Sequence, residues 1–168
     1  MGMDVHGLNP KHNKNLDDFP VIKRFDSMDF KEKWKTLGKD EALKDEYWRE
    51  KDKWEASNPG VYFRNSCWEW RPLWNYCYAI ADDIISKDVF ESGHSNDGAG
   101  LNDKDAKLLG SRLMEYIADG RTIEYQAKYE QYLNDLSHND LDKSYTFDVD
   151  NVERFALFCI ESGGFEIC

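Results

Sequence analysis

No stretch of this chain approaches the roughly 18 continuous apolar residues that a membrane-spanning helix needs, and its N-terminus lacks the apolar run of a signal peptide. We therefore expect a cytoplasmic protein with no membrane partner. None of the four cysteines, Cys67, Cys77, Cys159 and Cys168, forms a C-x-x-C pair, which argues against a zinc ribbon. Without a sign of secretion, disulfides are disfavoured too, and Cys77 and Cys159 read as small apolar core residues. There is no P-loop, no G-x-G-x-x-G after a strand, no G-x-S-x-G elbow and no H-E-x-x-H. The common enzyme classes thus gain no support, and whether the protein is an enzyme stays open. His6 stands where N-myristoylation wants Ser or Thr, so no lipid anchor is indicated.

Positive charge is also scarce: 22 Lys and Arg face 33 Asp and Glu, a formal charge of −11. Residues 1–60 are nearly balanced, with 12 basic and 13 acidic side chains, while residues 61–168 carry 10 and 20. Duplex nucleic acid is an unsuitable partner for that later part, because binding it draws on Lys and Arg releasing phosphate counterions. What the chain does have is aromatic area, 14% of 168 residues, enough for a folded protein. Its length suits a single globular domain over residues 1–168.

Met3 to Leu8 alternates apolar and polar residues before Asn9-Pro10 and reads as a short strand. Residues 11–26 show no period and read as an irregular segment. Helix is expected from Asp29 to Ala56, broken near Gly38 with Asp40 capping the second piece. After Arg71-Pro72, Leu73, Trp74, Cys77, Tyr78, Ala81, Ile84 and Ile85 recur at helical steps, with Pro suited to a first turn. Residues 91–101 form a Gly-rich polar loop. Leu109, Leu113 and Ile117 define the next helix, ended by Gly120. Tyr125, Tyr129, Tyr132 and Leu136 mark another, and Val152, Phe155, Ala156 and Cys159 the last. The tail from Phe165 alternates like a strand and needs a partner for its backbone groups, which we expect to be the N-terminal strand. The fold class is then mainly α (α+β), with about five helices and a small two-stranded sheet.

Seven aromatics fall between Val61 and Tyr78, interleaved with Arg64, Asn65, Glu69, Arg71 and Asn75. Such a segment suits a small-molecule pocket in which Trp70 and Trp74 stack on the ligand while Arg64, Asn65 and Arg71 fix its orientation. The competing reading puts each indole in the core. A second candidate is Gly93-His94-Ser95-Asn96-Asp97-Gly98, where His94 would exchange protons near neutrality, Asp97 would orient it or act as a base, and Asn96 would hydrogen-bond a ligand. Asn-Asp-Gly is equally an ordinary turn. Asp4 and His6 share one face of the first strand and suit a hydrogen-bonded pair. With His94 and Asp97 they form a conceivable metal set, but no H-x-x-x-H spacing supports one, so we assign no metal and no cofactor. His12 and His138 carry no evident chemistry.

Four blocks, Met1 to Pro10, Tyr62-Phe63-Arg64-Asn65 through Trp70-Arg71-Pro72-Leu73-Trp74, Gly93 to Gly98 and Ser162 to Ile167, together resemble an uncharacterised family of small proteins of bacterial and phage genomes. They cover about a quarter of the chain. Members often carry two C-x-x-C knuckles before the last helix; this chain has only Ser137 to Lys143 there, so no zinc role carries over. The resemblance implies no activity. It does suggest that the blocks converge on one concavity surrounded by Asp4, His6, Arg64, Asn65, Arg71, His94, Asn96 and Asp97. The leading expectation is a binding module for a small polar or nucleotide-like ligand, which in a phage would sequester a host defence signal. Two alternatives are a hydrolase or transferase using His94 as general acid or base, and an acidic interaction protein that blocks a basic host protein.

Overall fold

The computed structural model describes residues 2–137 and 140–168, so the expectation for His138 lies outside the described residues. The chain divides into two compact units. One joins the N-terminal segment up to Lys11 with Pro59–Cys168; the other is His12–Asn58.

The larger unit is built on four strands: β1 (Gly2–Gly7), β2 (Tyr62–Ser66), β3 (Ala99–Asn102) and β4 (Gly164–Ile167), in the order β2-β1-β4-β3. All neighbours are antiparallel. Helices α4 (Cys67–Ile80), α5 (Lys87–Ser92), α6 (Asp103–Ala118), α7 (Arg121–Asp135) and α8 (Val149–Glu161) complete it. The smaller unit holds α1 (Pro20–Asp26), α2 (Phe30–Leu37) and α3 (Glu41–Ser57). The expectation of about five helices with a two-stranded sheet is thereby corrected: the described residues form eight helices and a four-stranded antiparallel sheet. The two terminal strands do pair, with Val5 opposite Ile167 and Gly7 opposite Phe165, but as the inner strands of that sheet.

The extra elements escaped notice for local reasons. In β3 only Leu101 is buried, and Gly100 belongs there because a Cβ would stand 1.8 Å from the Phe165 carbonyl oxygen. A strand whose composition is set by the approach of its neighbour looks like loop. In β2 the inward positions are Phe63 and Asn65, so half of its buried face is polar. Helices α1 and α5, at 7 and 6 residues, are too short to display a period. Residues 11–26, read as irregular, contain a 3-10 turn at Leu16–Asp18 as well as α1. There Pro20 occupies the first helical turn, and Glu50 Oε2 accepts from the amides of Val21 (2.8 Å) and Ile22 (3.2 Å).

Helix α4 begins five residues before Pro72. Ser66 caps it reciprocally with Glu69: the Ser66 hydroxyl accepts from the Glu69 amide and Glu69 Oε2 accepts from the Ser66 amide. Pro72 has no N–H to give the carbonyl of Trp68 four residues earlier. That carbonyl instead accepts from the Thr146 amide at 3.1 Å, which ties the segment before α8 to α4.

The early start of α4 sets the core. Trp70, Leu73, Trp74 and Cys77 line one face and pack with Leu109 and Leu113 of α6, Val152, Phe155 and Cys159 of α8, and Phe165 and Ile167 of β4. Cys77 and Cys159 are free and buried, and burial pushes both thiols up. The smaller unit encloses its own cluster of Phe19, Ile22, Phe25, Leu37 and Tyr47. Among the described residues no helix is long and apolar enough to cross a membrane.

Candidate functional site

The four blocks meet. Strand β1 lies between β2 and β4, so three of them form one sheet. The histidine loop joins through three bonds: Asn96 Nδ2 donates to the Gly2 carbonyl (3.1 Å), the Gly98 amide to the Ile167 carbonyl (2.8 Å), and Trp70 Nε1 to the Gly93 carbonyl (2.8 Å).

The indoles act as part of this scaffold. Trp70 and Trp74 are fully buried and stack on each other with centroids 5.4 Å apart. Trp74 Nε1 donates to the Phe90 carbonyl at 3.0 Å, so both rings hold the chain that precedes His94. Of the two readings of Trp70 and Trp74, ligand wall or core, the structure has the core one: both are buried with no face exposed.

The remaining candidates distribute over three places. Asp4 and His6 lie on the sheet face away from the core. Asp4 accepts from the Tyr62 hydroxyl and has Arg64 Nε at 3.6 Å, while the His6 ring lies 5.1 Å from that of Tyr62. The partners of Asp4 are thus cross-strand neighbours, as the register of Asp4 with Arg64 and His6 with Tyr62 dictates. His94 is half-buried, edge-on to Phe90 at 5.0 Å, and its Nδ1 has no partner among the described residues. Asp97 is exposed on the turn beyond it, and no His94–Asp97 hydrogen bond occurs among the described residues. Nor do the described residues contain a group of three His, Cys, Asp or Glu side chains placed to hold a metal ion.

Arg71 lies elsewhere, in a cleft of about 290 Å³ lined by Arg71, Pro72, Asn75, Tyr129, Tyr132, Asp142 and Tyr145. Its guanidinium donates through Nη1 to the Tyr145 hydroxyl at 2.8 Å and lies 5.7 Å from the centre of that ring. Trp68 packs on Tyr145 with centroids 4.8 Å apart, and the Tyr129 hydroxyl donates to the Tyr145 carbonyl at 3.3 Å. Burial, with neighbouring tyrosines and Asp142 adding to it, pushes the Tyr129 phenol up to about 12. Tyr129 is therefore neutral throughout the physiological range. Arg71 forms no ion pair among the described residues; its guanidinium is held by the Tyr145 hydroxyl, in a cleft that Asp142 also lines.

Sequence reasoning found Arg71 and missed most of this wall. The spacing of Tyr125, Tyr129 and Tyr132 marks a helix in the sequence but does not say what its tyrosines face. Tyr145 follows a short 3-10 turn at Leu141–Ser144 and has no periodic signal.

The field of Arg71 reaches His94. Burial chiefly, and the Arg71 charge second, hold this imidazole below its ordinary value of 6.5. The folded state therefore favours neutral His94, and the unfolded chain takes up the proton first as pH falls. His94 contributes stability above about 6.5 that is lost as pH drops through its lower folded value. In an NMR titration, Arg71→Ala is expected to raise the His94 pKa without restoring the ordinary value, since the larger cause remains. An unchanged pKa would separate the two residues electrostatically.

No protein-family model, curated protein or solved structure matches this chain.

Proposed function

We propose that the protein is a binding module for a small nucleotide-like anion, held in the tyrosine cleft of α4, α7 and the segment before α8. One observation carries this reading: Arg71, which forms no ion pair among the described residues, turns its guanidinium into a recess walled by Tyr129, Tyr132 and Tyr145, with Asp142 at the same cleft. An arginine held by a hydroxyl rather than a carboxylate keeps its charge for a ligand, and its planar fork suits a phosphate or carboxylate. The half-exposed ring of Tyr132 offers a stacking surface for a base. Asn75 supplies a donor and an acceptor, and Asp142 accepts from a sugar hydroxyl or base N–H. Binding alone suffices for a cytoplasmic protein that acts by sequestration, the use a phage would make of it against a host signal.

The test is a thermal-shift screen of mono-, di- and cyclic nucleotides. A ligand at a hundred times its dissociation constant stabilises by about 2.7 kcal/mol, which for a chain of this length raises Tm by roughly 5–10 °C. Arg71→Ala is expected to weaken binding by about tenfold or more, since a charged hydrogen bond is removed. A panel without response, or a response that survives Arg71→Ala, would end this reading.

A further inference from the structure

The tyrosine cleft carries two opposite charges that do not meet. Arg71 stands on α4 with its guanidinium on the Tyr145 hydroxyl, and Asp142 stands in the 3-10 turn at Leu141–Ser144. Both line the cleft, yet no ion pair joins them among the described residues. The backbone holds Asp142 on both sides: its amide donates to an Asp140 carboxylate oxygen (3.0 Å), and its carbonyl accepts from the Tyr145 amide (3.0 Å). Its own carboxylate is exposed and accepts no hydrogen bond from a described residue. That carboxylate lies near enough to the Tyr129 phenol to oppose its ionisation. Tyr132 is 49% exposed, and its ring centre is 6.1 Å from that of Tyr129.

A bare carboxylate presents two acceptors side by side and no donor. Its match is a ligand edge with two adjacent N–H donors. Among the common nucleobases guanine alone has one, N1–H beside the 2-amino group. Adenine, cytosine and uracil each set an acceptor next to their donor, which the carboxylate would repel and leave unpaired. A ribose diol also offers two donors, but it adjoins the phosphate, and a carboxylate gripping it would lie beside the arginine that grips the phosphate. Asp142 and Arg71 stay unpaired, which suits the two ends of a nucleotide. Building on the tyrosine cleft as the ligand site, we infer that the base it selects is guanine, paired through N1–H and the 2-amino group with the Asp142 carboxylate while Arg71 holds the phosphate. A cleft of about 290 Å³ is at the low end for a small-molecule site and suits a single nucleotide.

The test is calorimetric titration of the whole chain with the 5′-monophosphates of guanosine, inosine, adenosine, cytidine and uridine, and with that of 2′-deoxyguanosine. Guanosine monophosphate is expected to bind tightest. Inosine monophosphate, which lacks only the 2-amino group, should bind about tenfold more weakly, and the other three bases more weakly still. The 2′-deoxy form should bind as the ribose form does. Asp142→Asn replaces one acceptor by a donor. It should weaken guanosine monophosphate about tenfold or more and strengthen xanthosine monophosphate, in which an oxygen stands in place of the 2-amino group. If the monophosphates bind through Arg71 with equal affinity whatever the base, or if Asp142→Asn leaves their order unchanged, guanine selection is overturned while the binding cleft stands. A loss on removing the 2′ hydroxyl would put Asp142 on the sugar and overturn it too. If no nucleotide binds, the cleft itself fails as a ligand site and guanine with it.

Discussion

Trp70→Ala is expected to lower the unfolding free energy by about 3–5 kcal/mol, the range for removing a large aromatic side chain from a packed core. Trp70 is fully enclosed, stacks on Trp74, meets Phe155 edge-on at 5.5 Å and Phe63 at 6.5 Å, and gives its indole N–H to the Gly93 carbonyl. Truncation thus opens a cavity and strands a carbonyl at once. Trp70→Phe separates the two effects, because it keeps most of the apolar volume and loses the N–H; about 1–3 kcal/mol is expected for that variant. Urea unfolding measures both, and hydrogen exchange of the amides of residues 94–97 reports the loop. If Trp70→Phe leaves loop exchange unaltered, the indole bond does not hold the histidine loop.

The misreading of Trp70 follows from a single feature of the sequence. With Pro72 taken as the first turn of a helix, Trp70 falls outside the helix and is free to serve as a ligand wall. Once α4 starts at Cys67, residues 70, 73, 74 and 77 form its inward stripe, and 68, 71 and 75 come together on the outward one. The same shift that buries Trp70 aims Arg71 and Asn75 into the tyrosine cleft. Ser66-x-x-Glu69 announces that start locally as a capping box, but what lets the helix tolerate Pro72 is not local: the carbonyl freed by Pro72 is satisfied by Thr146, 78 residues further along.

Where helices are long and their caps are side chains, the sequence is legible. Asp40 accepts from the Leu43 amide, Asn102 from the Asp105 amide and Asp148 from the Asp150 amide, each at the start of a helix whose apolar spacing is plain. Strand β3 and the placement of Asn65 are not legible, since both are fixed by what packs beside them. Of the candidate site, the sequence identified blocks that meet around one sheet, but not the single concavity expected of them: Asp4 with Arg64, His94, and Arg71 lie in three places. It could not place Arg64 beside Asp4 and Arg71 in the tyrosine cleft, because the first depends on the register of β1 with β2 and the second on where α4 starts.

Gly163→Ala is expected to cost about 3 kcal/mol or more, combining the strain of an unfavourable backbone region with overpacking. Gly163 has φ +65°, and an added Cβ would lie 2.1 Å from the carbonyl oxygen of Asn9. That contact is backbone on backbone. It sits where the chain ends are joined, with the Asn9 amide donating to the Ser162 carbonyl (3.1 Å) and the Leu8 amide to that of Gly164 (2.8 Å), so relief requires β1 and β4 to separate. Gly98 provides the control: its φ is +88°, but nothing lies within 4 Å of an added Cβ. Gly98→Ala should therefore carry the conformational cost alone, about 1–2 kcal/mol. The difference between the two variants in urea unfolding isolates the crowding at Asn9. Equal losses would mean that the junction yields easily, and the sheet that unites three of the blocks would then be less rigid than its hydrogen bonds imply.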